Sequence, residues 1–270
     1  MHPSFSFIGV CLLGGVASLA PAAAEPCTLY KARHIATARQ NIARHGWAKA
    51  LLAAQQNRAA AVMALDRAAL EAMVPDLTPW SVYGQVCPAC VGKRCAMGET
   101  GVLRWGGLAN PDRLTCQYCG MGYPNPEFPE TGVLECPRMG QRFTYYLNDQ
   151  QRAHPNEDPG KYAYRWAGRP VHVSFSGLIR AYKVQWALSQ VRPLAQLYVL
   201  TGESGYAERA AWILYRLAQV FPKYLYHSYG GCFADIDPAE AAREMGRHPA
   251  AGKFAPGVIR HPAAEMRDRN

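Results

Sequence analysis

The sequence lacks an apolar run long enough to span a membrane. Its longest run, from Phe7 to Leu19, falls short of the roughly 20 residues that a transmembrane helix needs. The run leads to Ala22-Ala23-Ala24, a small-residue pattern typical of a signal-peptide cleavage site, although no Lys or Arg precedes it. We therefore expect residues 1–24 to be a cleaved signal peptide, and the mature chain to be exported, either periplasmic or secreted, without an integral membrane span.

The sequence also lacks any block of Lys or Arg. It has 29 Lys and Arg against 20 Asp and Glu, and these charges are scattered, for a net charge of +9. A positive exported chain suits polyanions, and an acidic polysaccharide is the expected partner, although such a charge also serves solubility alone. Nucleic-acid binding is disfavoured because a basic patch is missing and an export signal is present.

Glycine and proline are concentrated in the middle of the chain. Residues 29–73 are rich in Ala, Leu, Arg and Gln, which favours helix, with a break near His45-Gly46. Residues 174–224 have a helical apolar period and predict two long helices joined at Gly202, the first kinked or divided at Pro193.

The intervening stretch, 78–170, predicts short antiparallel strands and long loops, because turn pairs such as Asn125-Pro126 punctuate it. The fold class expected is mainly α, with helical hairpins and a small loop-rich β insertion. The expected segments are a signal peptide (1–24), an N-terminal helical segment (25–77), the insertion (78–170) and a helical hairpin (171–270).

Two C-x-x-C motifs lie in the insertion, Cys87/Cys90 and Cys116/Cys119, with 25 residues between them. A C-x-x-C turn suits zinc, because two thiolates on one turn share a tetrahedral ion that a second turn completes. Disulfides among the same cysteines are the alternative, because exported cysteines usually pair. A thioredoxin-like redox centre is disfavoured, since no βαβ pattern surrounds either motif.

The remaining cysteines outside the predicted signal peptide, Cys27, Cys95, Cys136 and Cys232, have no pairing that the sequence decides. If zinc takes four thiolates, its coordination is closed and its role is structural.

The order of three motifs resembles the heparinase II/III-like family of exported polysaccharide lyases. These motifs are the opening helix over 33–54, the paired knuckles followed by "YPNPEFPETG", and the helix pair over 195–224. The resemblance implies that the hairpin begins an incomplete (α/α) toroid and that the knuckles form a zinc-ribbon-like insertion. The family's proteins are much longer, so the resemblance implies an N-terminal portion whose catalytic Tyr and His residues lie largely downstream.

The chemistry that the resemblance implies is β-elimination at a uronate, in which Tyr and His serve as acid and base. No catalytic residue can be assigned here. Candidate substrate-binding residues are Tyr226, His227 and Tyr229, after the second helix, and Trp166 and Arg169 in the insertion. Packing is the favoured explanation for the first set and explains the second at least as well.

Two functions therefore compete. The first is the N-terminal part of an exported lyase that cleaves a uronate-containing polysaccharide and is inactive as this short chain. The second is a non-enzymatic exported module that binds glycan or protein and carries a structural zinc site.

Overall fold

The computed structural model describes residues 30–79, 86–91, 101–136, 140–154, 164–166, 169–171, 173–227 and 234–236. The predicted signal peptide lies outside these residues. The chain divides into two compact units, 1–49 and 50–270.

Helices hold most of the regular structure, and a small antiparallel sheet accompanies them, so the predicted mainly α class is confirmed. The helices are α1 (Ala32–Arg44), α2 (Gly46–Met63), α3 (Arg67–Ala72), α4 (Asp149–Ala153), α5 (Phe175–Thr201) and α6 (Ser204–Val220). The strands are β1 (Val86–Cys87), β2 (Gly101–Gly106), β3 (Asn110–Cys116), β4 (Gly122–Tyr123), β5 (Gly132–Cys136), β6 (Gln141–Tyr145), β7 (Tyr164–Trp166), β8 (Arg169–Val171), β9 (Tyr226–His227) and β10 (Ala234–Ile236).

The first unit contains α1 and the start of α2. None of the residues in α1 is buried. The break between the two helices falls at His45, as predicted, and the imidazole of His45 stacks on the indole of Trp47 at 6.2 Å. Trp47 is 64% exposed, although it is a large apolar side chain.

Helices α5 and α6 form the antiparallel hairpin that the sequence predicts. Helix α5 begins where the Ser174 hydroxyl accepts a hydrogen bond from the Gly177 N–H. It ends at Gly202, whose φ of 81° places it in the left-handed region that favours glycine. The helix continues through Pro193, so the alternative in which proline divides it is wrong.

A four-stranded antiparallel sheet has the order β1-β2-β3-β4. The β2–β3 hairpin packs on α5: the indole of Trp105 stacks on the Tyr182 ring at 6.4 Å with 5° between the planes. Nearby, Lys183 Nζ lies 2.6 Å from a carboxylate oxygen of Asp112. The sheet is thereby fixed to the side of the long helix.

Two hydrophobic clusters form the core of the second unit. The first contains residues of the four-stranded sheet together with Phe175, Leu178 and Ile179 from the start of α5. The second contains residues of α2, α3 and α6 packed on the later part of α5, which contributes Leu194 and Leu197. Helix α5 therefore belongs to both clusters.

A buried polar contact joins the loop before the sheet to the β5–β6 pair and to the end of α6. The Gln141 carbonyl oxygen accepts from the Thr78 hydroxyl at 2.6 Å and from the Thr78 N–H at 3.1 Å. The Gln141 amide donates to the Lys223 carbonyl, and the Leu225 N–H donates to the Thr78 hydroxyl at 2.9 Å. Three segments distant in sequence are thus connected through two side chains.

Candidate metal centre

The first knuckle is built from a strand end and a tight turn. Cys87 closes β1 and pairs with Gly101 of β2, and Pro88–Cys90 forms a single turn of 3-10 helix. Proline suits the first position of such a turn because its φ is already helical. The turn brings the Cys90 side chain back beside that of Cys87.

The second knuckle follows β3 directly. Cys116 is the last residue of that strand, and the Gly120 N–H donates to the Cys116 carbonyl at 3.0 Å. Gly120 has a φ of 73°, which explains the glycine after the second thiol, since other residues rarely adopt that conformation. The Tyr118 N–H points at Cys116 Sγ, 3.4 Å away, as it does in turns that support a thiolate.

The sheet brings the two knuckles together. β2 pairs with β1 on one side and with β3 on the other, and Leu103 of β2 lies opposite Cys116. The long gap between the motifs therefore contains a β hairpin.

The four sulfur atoms form a compact cluster. Cys87 Sγ lies 3.6 Å from Cys119 Sγ, and Cys90 Sγ lies 3.7 Å from Cys116 Sγ. All four lie within 4.8 Å of one another. A tetrahedral ion with zinc–sulfur bonds of about 2.3 Å separates its ligands by about 3.8 Å. The spacing of the four sulfur atoms therefore matches that of a four-thiolate site, and these cysteines could bind one metal ion.

The four cysteines are free thiols in this structure, which does not support the disulfide alternative for this set. The thiols of Cys87, Cys90 and Cys116 are buried, and Cys119 is exposed. Cys136 ends β5, whereas Cys27, Cys95 and Cys232 lie outside the described residues.

Burial raises the pKa of the Cys87 thiol to about 11, and burial also raises the pKa of Cys90. For Cys119, burial acts in the same direction, but a hydrogen bond from the Met121 backbone and contacts with the other thiols lower its pKa overall. A cation placed among these sulfurs would therefore have to displace protons from the buried thiols.

Tyr123 extends the site toward α5, and the sequence-based interpretation missed it. Its hydroxyl lies 3.2 Å from Cys87 Sγ and accepts from the Ala89 N–H at 3.3 Å. Its ring stacks on Phe175, the first residue of α5, at 4.4 Å. The side chain is fully buried, and burial, followed by the hydrogen bond to Cys87, raises its pKa.

The other predicted site residues lie on two separate strand pairs. Trp166 pairs with Arg169 at the turn of the β7–β8 hairpin. Tyr226 and His227 form β9, which pairs with β10. Tyr229 lies outside the described residues, so the substrate-binding role of this group stays a prediction.

Comparison with protein-family models, with curated proteins and with solved structures returned no match. Within the part of the chain that the structure describes, no helix is both long and apolar enough to cross a membrane. Function must therefore be inferred from the residues of the chain itself.

Proposed function

We propose that Cys87, Cys90, Cys116 and Cys119 hold one structural zinc ion. The observation that carries this proposal is the spacing of the four sulfur atoms, which fits a tetrahedral ion. Four thiolates leave no position for water or substrate, so the ion's role is to hold the sheet together. Iron also accepts four thiolates, and the test below separates the two metals.

Metal analysis of the purified protein tests this proposal. We expect one zinc per chain, a colourless protein, and four thiols that react with an alkylating reagent only after chelation and denaturation. If the analysis finds iron, together with visible absorbance, the four cysteines bind iron and not zinc. Absence of metal, with mass evidence for oxidised pairs among these four cysteines, would overturn the site.

We further propose that the chain is the N-terminal part of an exported polysaccharide lyase acting on a uronate-containing polymer by β-elimination. The order of opening helix, knuckles and helical hairpin supports this, as does the net charge of +9. In this proposal α5 and α6 are the first hairpin of an (α/α) toroid, and Tyr226, His227, Tyr229, Trp166 and Arg169 contact the glycan.

The mass of the native product in its own cells tests the lyase proposal. A species much heavier than 29.7 kDa, which releases ultraviolet-absorbing unsaturated sugars from a uronate polymer, is the expected result. A species near that mass, less a signal peptide, without such products would contradict it.

The second candidate is a non-enzymatic exported module that binds glycan or protein. The closed geometry of the sulfur cluster favours it, and no second group of three or more potential metal ligands occurs in the described part of the chain. This candidate predicts that the 270-residue chain folds alone and binds glycan without changing it.

A further inference from the structure

A cleft of about 440 Å³ lies between α2 and α5, and Ala59, Val62 and Leu194 of the second cluster line it. Its volume falls within the range of small-ligand sites in proteins. Residues from Gln55 onward on α2 and from Trp186 onward on α5 line it, so both walls are helical and belong to the same compact unit.

The walls of this cleft carry polar side chains beside apolar ones. Two helices that pack only against each other bury apolar side chains along their facing sides. Here α2 contributes Gln55 and Arg58, and α5 contributes Ser189 and Gln190. Apolar side chains such as Val62 and Leu194 line the cleft as well, and the polar side chains lie among them.

Two of these side chains have groups available for a ligand. Arg58 is exposed, and within the described ranges its guanidinium pairs with no carboxylate. Trp186 is half-buried and packs against the second cluster, and its indole N–H donates to no acceptor among the residues that the structure describes. A fixed aromatic ring, a free donor and a free cation therefore meet in one cleft.

Pro193 adds an acceptor to the same wall. Proline has no N–H, so the carbonyl of Ser189, four residues earlier in α5, loses its usual helical donor. Both residues line the cleft. The Ser189 hydroxyl donates to the Trp186 carbonyl at 2.6 Å, and the Gln190 amide donates to the Ser189 hydroxyl at 2.8 Å, which holds these side chains on this wall.

We propose that the α2–α5 cleft binds one acidic sugar unit, a uronate. Trp186 offers the aromatic surface and N–H, Arg58 pairs with the sugar carboxylate, and Gln55 and Gln190 bond the ring hydroxyls. This assignment rests on the proposed function in its choice of a uronate polymer, and it adds a site that is separate from Trp166 and from the residues after α6.

The polar groups of the cleft favour a uronate over a plain anion or a neutral sugar. A small carboxylate such as acetate would use Arg58 but none of the amides. A neutral sugar would use the amides and Trp186 but would leave the guanidinium unpaired. A sugar that carries a carboxylate engages all three kinds of group.

Titration of the full chain with trigalacturonate, followed by the 15N–1H signal of the Trp186 indole, tests the proposal. Trp186→Phe assigns that signal. We expect trigalacturonate to shift it in a saturable manner, and maltotriose or acetate to bind at least about tenfold more weakly. Arg58→Gln should weaken trigalacturonate binding at least about tenfold without changing the affinity for maltotriose.

Arg44→Gln is the matched control, since it removes the same charge from an exposed position in α1, and it should leave binding unchanged. If both substitutions weaken trigalacturonate binding equally, the effect comes from net charge, and the cleft is not the binding site. Binding of trigalacturonate with an unmoved Trp186 signal would also overturn the cleft while leaving a glycan-binding function intact. If no uronate oligomer binds, both the cleft as a uronate site and the proposed binding of a uronate polymer are wrong.

Discussion

Tyr123 joins the cysteine cluster to the long helix through one hydroxyl and one ring. The hydroxyl bonds Cys87 Sγ and the Ala89 N–H, while the ring stacks on Phe175. Side chains that hydrogen-bond metal ligands orient them and raise the affinity for the ion. The tyrosine therefore supports the first knuckle on the side opposite the solvent.

Tyr123→Phe should keep the stacked ring and remove only the hydroxyl. We expect zinc affinity to fall about tenfold or more and the free energy of unfolding to fall by about 1 kcal/mol, measured by competition with a chromophoric chelator and by urea unfolding. Tyr118→Phe, in the second knuckle, is the control, because the Tyr118 side chain is 38% exposed. Equal affinities for the two variants would rule out the role of the Tyr123 hydroxyl.

Zinc uptake should depend steeply on pH. The raised pKa values of Cys87, about 11, and of Cys90 mean that both thiols carry protons at pH 7 when no ion is bound. Binding then releases at least two protons, so zinc affinity should rise by about a hundredfold or more for each pH unit between 6 and 7.5. Calorimetry in buffers of different ionisation enthalpy measures this release, and a value below two protons would contradict it.

At the residue scale, the sequence predicts the four-cysteine cluster because C-x-x-C spacing is a local property. It does not predict Tyr123, whose contact with Cys87 depends on the pairing of β4 with β3. Nor does it predict the cleft residues Arg58 and Trp186, which lie far apart in the chain. Ligands close in sequence can be recognised from the chain alone, whereas partners that tertiary packing supplies cannot.

At the scale of elements, Gln141 at the start of β6 connects three segments. Its amide is buried, with 5% of its surface exposed, and it bonds Thr78 and the Lys223 carbonyl. Arg180 of α5 adds a bond from its Nε to the Thr78 carbonyl at 3.1 Å. A buried network of this kind is costly when one member is removed, because the others lose their partners.

Gln141→Leu should therefore lower the free energy of unfolding by about 3 kcal/mol. The leucine leaves the Thr78 N–H and the Lys223 carbonyl without the amide that satisfies them. Urea unfolding of the zinc-bound protein measures the change. Gln150→Leu in α4 makes the same substitution at an exposed position and should change stability little; similar losses in both variants would mean that the network contributes nothing.

The helices are predictable because their sequence signals are local. Which residues on each helix are buried is harder to predict. Ile213 is fully buried as its apolar period suggests, whereas Leu214 beside it is 48% exposed and Tyr198 is 43% exposed. An apolar period identifies a helix, and the neighbours it meets decide how wide its buried face is. Pro193 was expected to kink or divide α5, and the helix continues because its neighbours in the second cluster are packed on both sides of the proline.

For the whole molecule, removal of the proposed zinc ion should affect the two hydrophobic clusters unequally. Three of the four cysteines belong to the first cluster, and its strands are short, so we expect the sheet to depend on the proposed zinc ion. The second cluster holds α6 against α3 and α5 without any cysteine. Its stability should therefore be independent of zinc.

Hydrogen exchange with and without a chelator measures this difference. We expect amides over 101–116 to lose protection when zinc is removed, and amides of α6 (Ser204–Val220) to keep it. The Cys116→Ser variant should reproduce the chelator's effect without added chelator. Equal loss in both regions would show that the clusters unfold as one, and no loss in either would show that the sheet does not need the ion.

Helix α5 has a practical consequence for anyone who wishes to dissect this protein. With 27 residues it extends about 40 Å, and it supplies Phe175 to one cluster and Leu197 to the other. A recombinant fragment that ends inside α5 lacks part of the second cluster. A fragment that begins inside α5 lacks part of the first cluster. Useful shortened versions must therefore retain Phe175–Thr201 whole, and the two halves of the molecule are better separated by point substitution than by cutting.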